Sequence, residues 1–222
     1  MSVIQDPELQ RLLIGLHASS DAQVAAIKRF DAERAAQAQP PAEDEIKTFR
    51  SDKLVALDRD KAEFCYQLCR ASHARRIVEI GTSHGVSTLY LAAAVHDNVH
   101  ALGGDGVVIG TEYEPNKASA ARAHFAQAGL SRFIDLREGD LRETLKEIGG
   151  PVDFVLVDIW IAMARPALAM VAPYLKPGAV VVCDNTEQYR REYADYFAFL
   201  DANGFRTMTL PFTGGLEMSV RG

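Results

Sequence analysis

The sequence predicts an α/β fold: a doubly wound seven-stranded sheet, mostly parallel, ending in an antiparallel hairpin and preceded by N-terminal helices. Three observations predict it. Short β-branched runs alternate with helix-length stretches five times between residues 77 and 202. Two strand-like runs then follow one another without a helix between them. The fourth run, Phe154-Val155-Leu156-Val157, is apolar on both faces, as a central parallel strand covered by helices must be.

At the N-terminus, Asp6-Pro7-Glu8 reads as a helix start, with an Asp cap, proline at the first helical position and an acid in the first turn. A second helix is expected from Ser20 or Asp21 to Gln39, stopped by Pro40-Pro41. Residues 1–56 read as a helical extension and residues 57–222 as the sheet domain. A helix from Arg59 to about Ser72 presents Ala62, Phe64, Cys65, Leu68 and Cys69 on its apolar side. The first strand is Ile77 to Ile80, closed by Gly81-Thr82-Ser83-His84-Gly85 and followed by a helix through Leu89, Leu91 and Ala94. The second is Val107 to Glu112, with a helix from Asn116 to Ala128. The third is Ile134 to Arg137, with a helix around Leu141 to Ile148. The fourth ends at Asp158 and leads into a helix from about Met163 to Tyr174. The fifth, Ala179 to Asp184, precedes a helix from Arg191 to Ala202, and Phe205–Leu210 and Leu216–Val220 form the hairpin. The arrangement is Rossmann-like.

Composition narrows the function. A net charge of −6 argues against a nucleic-acid surface, which is normally basic. No apolar run approaches the roughly 20 residues that span a bilayer, and the first residues lack the pattern of a signal peptide. A cytoplasmic location is expected. The three cysteines read as small buried hydrophobes rather than disulfide partners or metal ligands.

In a doubly wound sheet, ligands bind beyond the carboxyl ends of the strands, so the polar residues there carry the information. Glu79 and the loop Gly81-Thr82-Ser83-His84-Gly85 bring backbone close to a ligand, although Ser83 stands where a dinucleotide fingerprint has its second glycine. Glu112 can accept two ribose hydroxyls, which favours an adenosine cofactor and at this point leaves NAD open. Gly139-Asp140 can meet an adenine ring, or Asp140 can simply cap the next helix. Asp158, Asp184 and Asn185 converge from neighbouring strands as two carboxylates and an amide, a donor set for Mg²⁺ or another hard divalent ion. The alternative is a pair of unrelated strand-end acids. His84 at a helix start reads as solvent-exposed.

These segments resemble the cation-dependent O-methyltransferases of the catechol and caffeoyl-CoA type over about Leu57 to Gly222. Val78-Glu79-Ile80-Gly81 with Gly85-Val86-Ser87 looks like their first cofactor motif, Thr111-Glu112-Tyr113-Glu114 like their ribose strand, and Val157-Asp158-Ile159-Trp160 like their first metal segment. Cys183-Asp184-Asn185 resembles the pair completing the metal site, and Gly215-Leu216-Glu217 a segment whose acid faces the substrate hydroxyl. The resemblance implies S-adenosylmethionine as cofactor. Its contacts would be Glu79, Gly81, Thr82, Ser83, Gly85 and Ser87 on the first loop and helix, and Glu112 and Tyr113 on the second strand. Gly139, Asp140 and Leu141 would follow the third strand, and Asp158 and Trp160 the fourth. It also implies a divalent cation on Asp158, Asp184 and Asn185, and catalytic roles for Asp158 and Glu217. The partner would be a small catechol-like molecule with a hydroxyl to methylate, without nucleic acid or membrane.

One position departs from the pattern. The lysine that the family carries three residues after its first metal-binding Asp is Ile161 here. A metal-independent methyltransferase with another acceptor, or a non-catalytic relative that binds the cofactor, therefore stands beside the main expectation. The apolar positions of the N-terminal helices further suggest burial against a second copy, giving a homodimer.

Overall fold

A computed structural model describes residues 2–35 and 43–222. The helices are α1 (Pro7–Ala35), α2 (Glu43–Arg50), α3 (Arg59–Ala71), α4 (Val86–Leu102), α5 (Pro115–Gln127), α6 (Leu141–Thr144), α7 (Ile161–Val171) and α8 (Ala194–Ala202). The strands are β1 (Arg76–Ile80), β2 (Val107–Glu112), β3 (Ile134–Glu138), β4 (Val152–Val157), β5 (Leu175–Asp184), β6 (Phe205–Leu210) and β7 (Leu216–Arg221). They form one seven-stranded sheet in the order β3-β2-β1-β4-β5-β7-β6. The first five strands run parallel, and β7 pairs antiparallel with both β5 and β6. The chain moves outward from β1 to β3 and then returns to β4, so the topological switch lies between β1 and β4.

Alternation along each strand divides the core in two. Ile77, Val108, Leu156, Val180 and Val182 face α1, α3, α4 and α5. Val78, Ile80, Ile109, Val155, Val157, Val181 and Cys183 face α6, α7 and α8. This period of two decides which strand-end side chains can meet.

The N-terminus differs from the two-helix expectation. Asp6 caps α1 as predicted, its Oδ1 accepting from the Glu8 and Leu9 amides at 2.8 and 3.0 Å. The expected break at Ser20-Asp21 is absent, because the hydroxyls there find partners without ending the helix: Ser19 Oγ donates to the Gly15 carbonyl of the same helix at 2.9 Å, and Ser20 Oγ accepts from the Ala56 amide of the segment before α3 at 3.1 Å. The proposed stop at Pro40-Pro41 and the helix end at Gln39 lie outside the described residues. Ile4, Leu9, Leu13 and Leu16 are buried in the core shared with α4 of the same chain. Ile14 and Val24 on the same helix stay exposed. The helix after β3 is also shorter than expected. Arg137 takes the carbonyls of Thr144 and Glu147, and Gly149-Gly150 follows. All three cysteines are free and buried, which fits their reading as core residues. Among the described residues no helix is long and apolar enough to cross a membrane.

Candidate active site

Four acids stand on one face of the sheet at the carboxyl ends of adjacent strands. Glu79 is level with Gly110 on β2 and Leu156 on β4, and Leu156 is level with Val182 on β5. Glu112, Asp158 and Asp184 each lie two residues beyond that level, so all share the α1/α3/α4 side, with Glu79 one pleat deeper. Neighbouring strands are about 4.8 Å apart, close enough for like charges at adjacent tips to feel one another.

Glu79 is fully buried. Its Oε2 accepts from Thr82 Oγ1 at 2.9 Å and from Thr88 Oγ1, while its Oε1 has no hydrogen-bond partner. Burial pushes the carboxyl up to about 7, against the hydroxyl bonds that favour its charged form. Above it, Gly81 adopts φ 99°, and a Cβ there would lie 2.1 Å from the Asp158 carbonyl oxygen. The loop from β1 is thus pressed against the exit of β4, and only glycine fits.

Glu112 organises the same loop. Its Oε2 accepts from the Ser83 amide at 2.7 Å and its Oε1 from the Glu114 amide at 2.8 Å. Each oxygen keeps a further lone pair, so ribose hydroxyls would add to these bonds rather than replace them. Asp140 is a helix cap: it accepts from the Arg142 amide at 2.9 Å and pairs with the Arg142 guanidinium, which holds its carboxyl down to about 2. Gly139 lies in the turn just before it, and Leu141 is buried at the start of α6. Ser87 is buried on α4 behind the loop, whereas Tyr113 is 71% and Trp160 45% exposed. His84 corrects the solvent-exposed expectation. It is partly buried, and burial, followed by the charge of Lys117, lowers its pKa to about 4.

Asp158 and Asp184 form the centre. Among the described residues the Asp158 carboxylate has no hydrogen-bond donor. Burial, then the Asp184 and Glu79 charges, push it up to about 8. Asp184 differs. Its Oδ1 accepts from Lys61 Nζ at 2.7 Å and its Oδ2 from Asn185 Nδ2 at 2.7 Å. Burial still raises its pKa despite the lysine. Asn185 has φ 57°, and its Oδ1 lies over Gly214, where a Cβ would come within 2.7 Å. Glu217 does not join this group. It is level with Cys183 on the opposite face of the sheet, and its oxygens accept from Thr207 and Thr209 on β6, the latter at 2.5 Å. Ile161, at the position where the family has its lysine, opens α7 and packs against the other core.

Residues 78–186 match the family model of a methyltransferase domain. The catechol O-methyltransferase of Mycobacterium tuberculosis is 32% identical over 132 residues, which are 59% of this chain and 57% of that protein. That of Niastella koreensis is 27% identical over 135 residues, 59% of this chain and 58% of the relative. Over about half its length the chain is thus similar to a methyltransferase domain and to catechol O-methyltransferases. The alignment spans less than three fifths of these relatives' length. The O-methyltransferase of Bacillus cereus, solved with S-adenosylhomocysteine, superposes on this chain with a TM-score of 0.69 at 19% identity, covering 99% of this chain and 93% of that one. The seven-stranded fold is therefore that of known methyltransferases.

Two atoms test whether these residues suit the groups the family uses. The buried, unpartnered Glu79 Oε1 suits a cationic ammonium such as that of a methionine moiety, which would relieve a costly carboxylate. The donorless Asp158 carboxylate beside Asp184 likewise suits a hard cation, and the Asn185 amide, whose nitrogen now faces Asp184, would have to turn over to offer its oxygen as third donor. Among the described residues no three His, Cys, Asp or Glu converge, so a metal here depends on that amide. Lys61 is the site residue that sequence reasoning missed. Its signal was its place on the stripe Lys61, Cys65, Cys69, four and eight residues apart on the buried side of α3.

Proposed function

We propose that this chain is an S-adenosylmethionine-dependent methyltransferase that transfers a methyl group to a hydroxyl of a catechol-like small molecule, with a divalent cation held by Asp158, Asp184 and Asn185. The observation that carries the reading is the partly buried Asp158 carboxylate, left without a donor beside the buried Asp184. Two such carboxylates at adjacent strand tips are costly unless a cation is shared between them.

S-adenosylmethionine, when bound, supplies an electrophilic methyl on its sulfonium, and the cation supplies positive charge that lowers the pKa of an acceptor hydroxyl. The chain's own residues do the holding. Glu79 takes the ammonium end of the cofactor, and Glu112 takes the ribose while keeping the Ser83 loop in place. Asp158, Asp184 and Asn185 would hold the cation, and Trp160, half exposed at the start of α7, offers an apolar wall to an aromatic acceptor. Neither Ile161 nor Glu217 is placed to receive the hydroxyl proton from this face, so the protein contributes chiefly positioning and charge.

Transfer from methyl-labelled S-adenosylmethionine to a panel of catechols and monophenols, with and without chelator, tests the reading. Catechols alone should be methylated, and only with Mg²⁺ or Mn²⁺ present. Full activity in excess chelator would overturn the cation's role and favour the metal-independent reading that Ile161 suggests. Glu112→Ala should weaken cofactor binding by about 1.5–3 kcal/mol, the range for hydrogen bonds to a charged group. Calorimetry would read this as a roughly 10- to 150-fold rise in Kd, and an unchanged Kd would remove Glu112 from the cofactor site.

A further inference from the structure

Lys61 stands where a lysine is costly. It is 1% exposed, on the face of α3 that packs into the core through Cys65 and Cys69. An ammonium is kept in such a place only when it is paired and hydrogen-bonded. Asp184 Oδ1 at 2.7 Å and Asp58 Oδ2 at 3.0 Å provide the pairing, the second from the residue preceding the same helix. These two ion pairs outweigh the burial that would otherwise discharge the lysine.

Asp184 is consequently gripped from two sides. Lys61 holds one carboxylate oxygen and the Asn185 amide the other, which fixes the plane of the group. Asp158, on the neighbouring strand and the same face, lacks any such partner. The site thus carries two inward acids and one ammonium of its own. A cation entering beside Asp158 shares Asp184 with a positive charge that is already bonded to it.

We propose that Lys61 is a resident counter-ion of the acceptor site, which keeps the acid pair tolerable in the cation-free protein and holds down the affinity for a divalent cation. This rests on the cation reading given above. Two like charges bonded to one carboxylate repel, and in a partly dry site that repulsion is weakly screened. The site would therefore release its cation readily, with Asp184 still held in position.

The test compares wild type, Lys61→Met and Lys61→Arg by calorimetric titration with Mn²⁺, alongside melting with and without the ion. Removing the charge with methionine should tighten Mn²⁺ by at least about tenfold, lower the melting temperature of the cation-free protein and enlarge its rise on adding Mn²⁺. Arginine, which keeps the charge, should leave the affinity within about threefold of wild type. If methionine unfolds the chain, Lys61→Gln replaces it in the same comparison. Binding by the Met or Gln variant alone, with none by wild type, supports the proposal in its strongest form. Mn²⁺ affinity that is unchanged or weaker in those variants, with wild type binding normally, overturns the proposal and leaves the cation reading intact. No binding by any of the proteins overturns the cation reading, and the role of Lys61 falls with it.

Discussion

Asp184→Ala is expected to abolish divalent-cation binding and cut turnover at least about 100-fold, while leaving S-adenosylmethionine affinity within about threefold of wild type. The separation follows from the strand tips. Asp184 ends β5, while the acids assigned to the cofactor, Glu79 and Glu112, end β1 and β2. The substitution also strands Lys61, whose main partner it removes. Breaking a buried pair from one side costs about 3–5 kcal/mol, so the variant should melt earlier as well. Asp184→Asn separates the two effects, because its amide oxygen can still accept from Lys61 but carries no charge for the cation. Turnover should fall in both variants and stability mainly in alanine. Cation-dependent turnover at wild-type rate in the asparagine variant would remove Asp184 from the metal site.

Gly81→Ala should be the most damaging change in the cofactor loop. Its Cβ would sit 2.1 Å from the Asp158 carbonyl oxygen and 2.9 Å from the Asp158 carbonyl carbon, both backbone atoms that cannot swing aside. The backbone also holds φ 99°, outside the range comfortable for alanine. Together these should cost about 3 kcal/mol or more, a fall in Tm of roughly 6–12 °C for a domain of this size. Gly178→Ala is the control. It has φ 78° but nothing within 4 Å of its Cβ, so it isolates the conformational cost from the clash. Equal losses in the two variants would show that the contact between the β1 loop and β4 is not tight.

The sheet was legible in the sequence because its strands are short apolar runs bounded by glycine and strand-end acids. Val107–Glu112 and Phe205–Leu210 form over the expected residues. The same pattern placed Glu79, Glu112, Asp158 and Asp184 at strand ends, where alternation then gathers them on one face. Two things did not follow from it. The side taken by Glu217 depends on how β7 registers against β5, which pairs it with Cys183 and turns it away from Asp184. Lys61 was hidden because charged residues at a helix start read as solvated, and only the packing of α3 onto α4 and the shared core reveals that this one points inward. Ser20 misled in the opposite sense, since a hydroxyl that resembles a cap can also sit in a continuous helix and accept from a neighbouring segment.

The shared face of the four acids gives the chain a parity. Adding one residue within β4 between Val155 and Asp158 would send that acid to the α7 side, across an impermeable sheet from Asp184, although net charge and hydrophobicity would barely change. Length changes should therefore be tolerated unequally. The turns at 103–106 and 149–151, which enter β2 and β4 from the far edge, can lengthen without altering which side any acid takes. Within the strands, a single insertion is worse than many substitutions. Natural variation among chains built on this plan should accordingly gather its gaps at the amino ends of the strands, leaving the spacing from core to tip fixed.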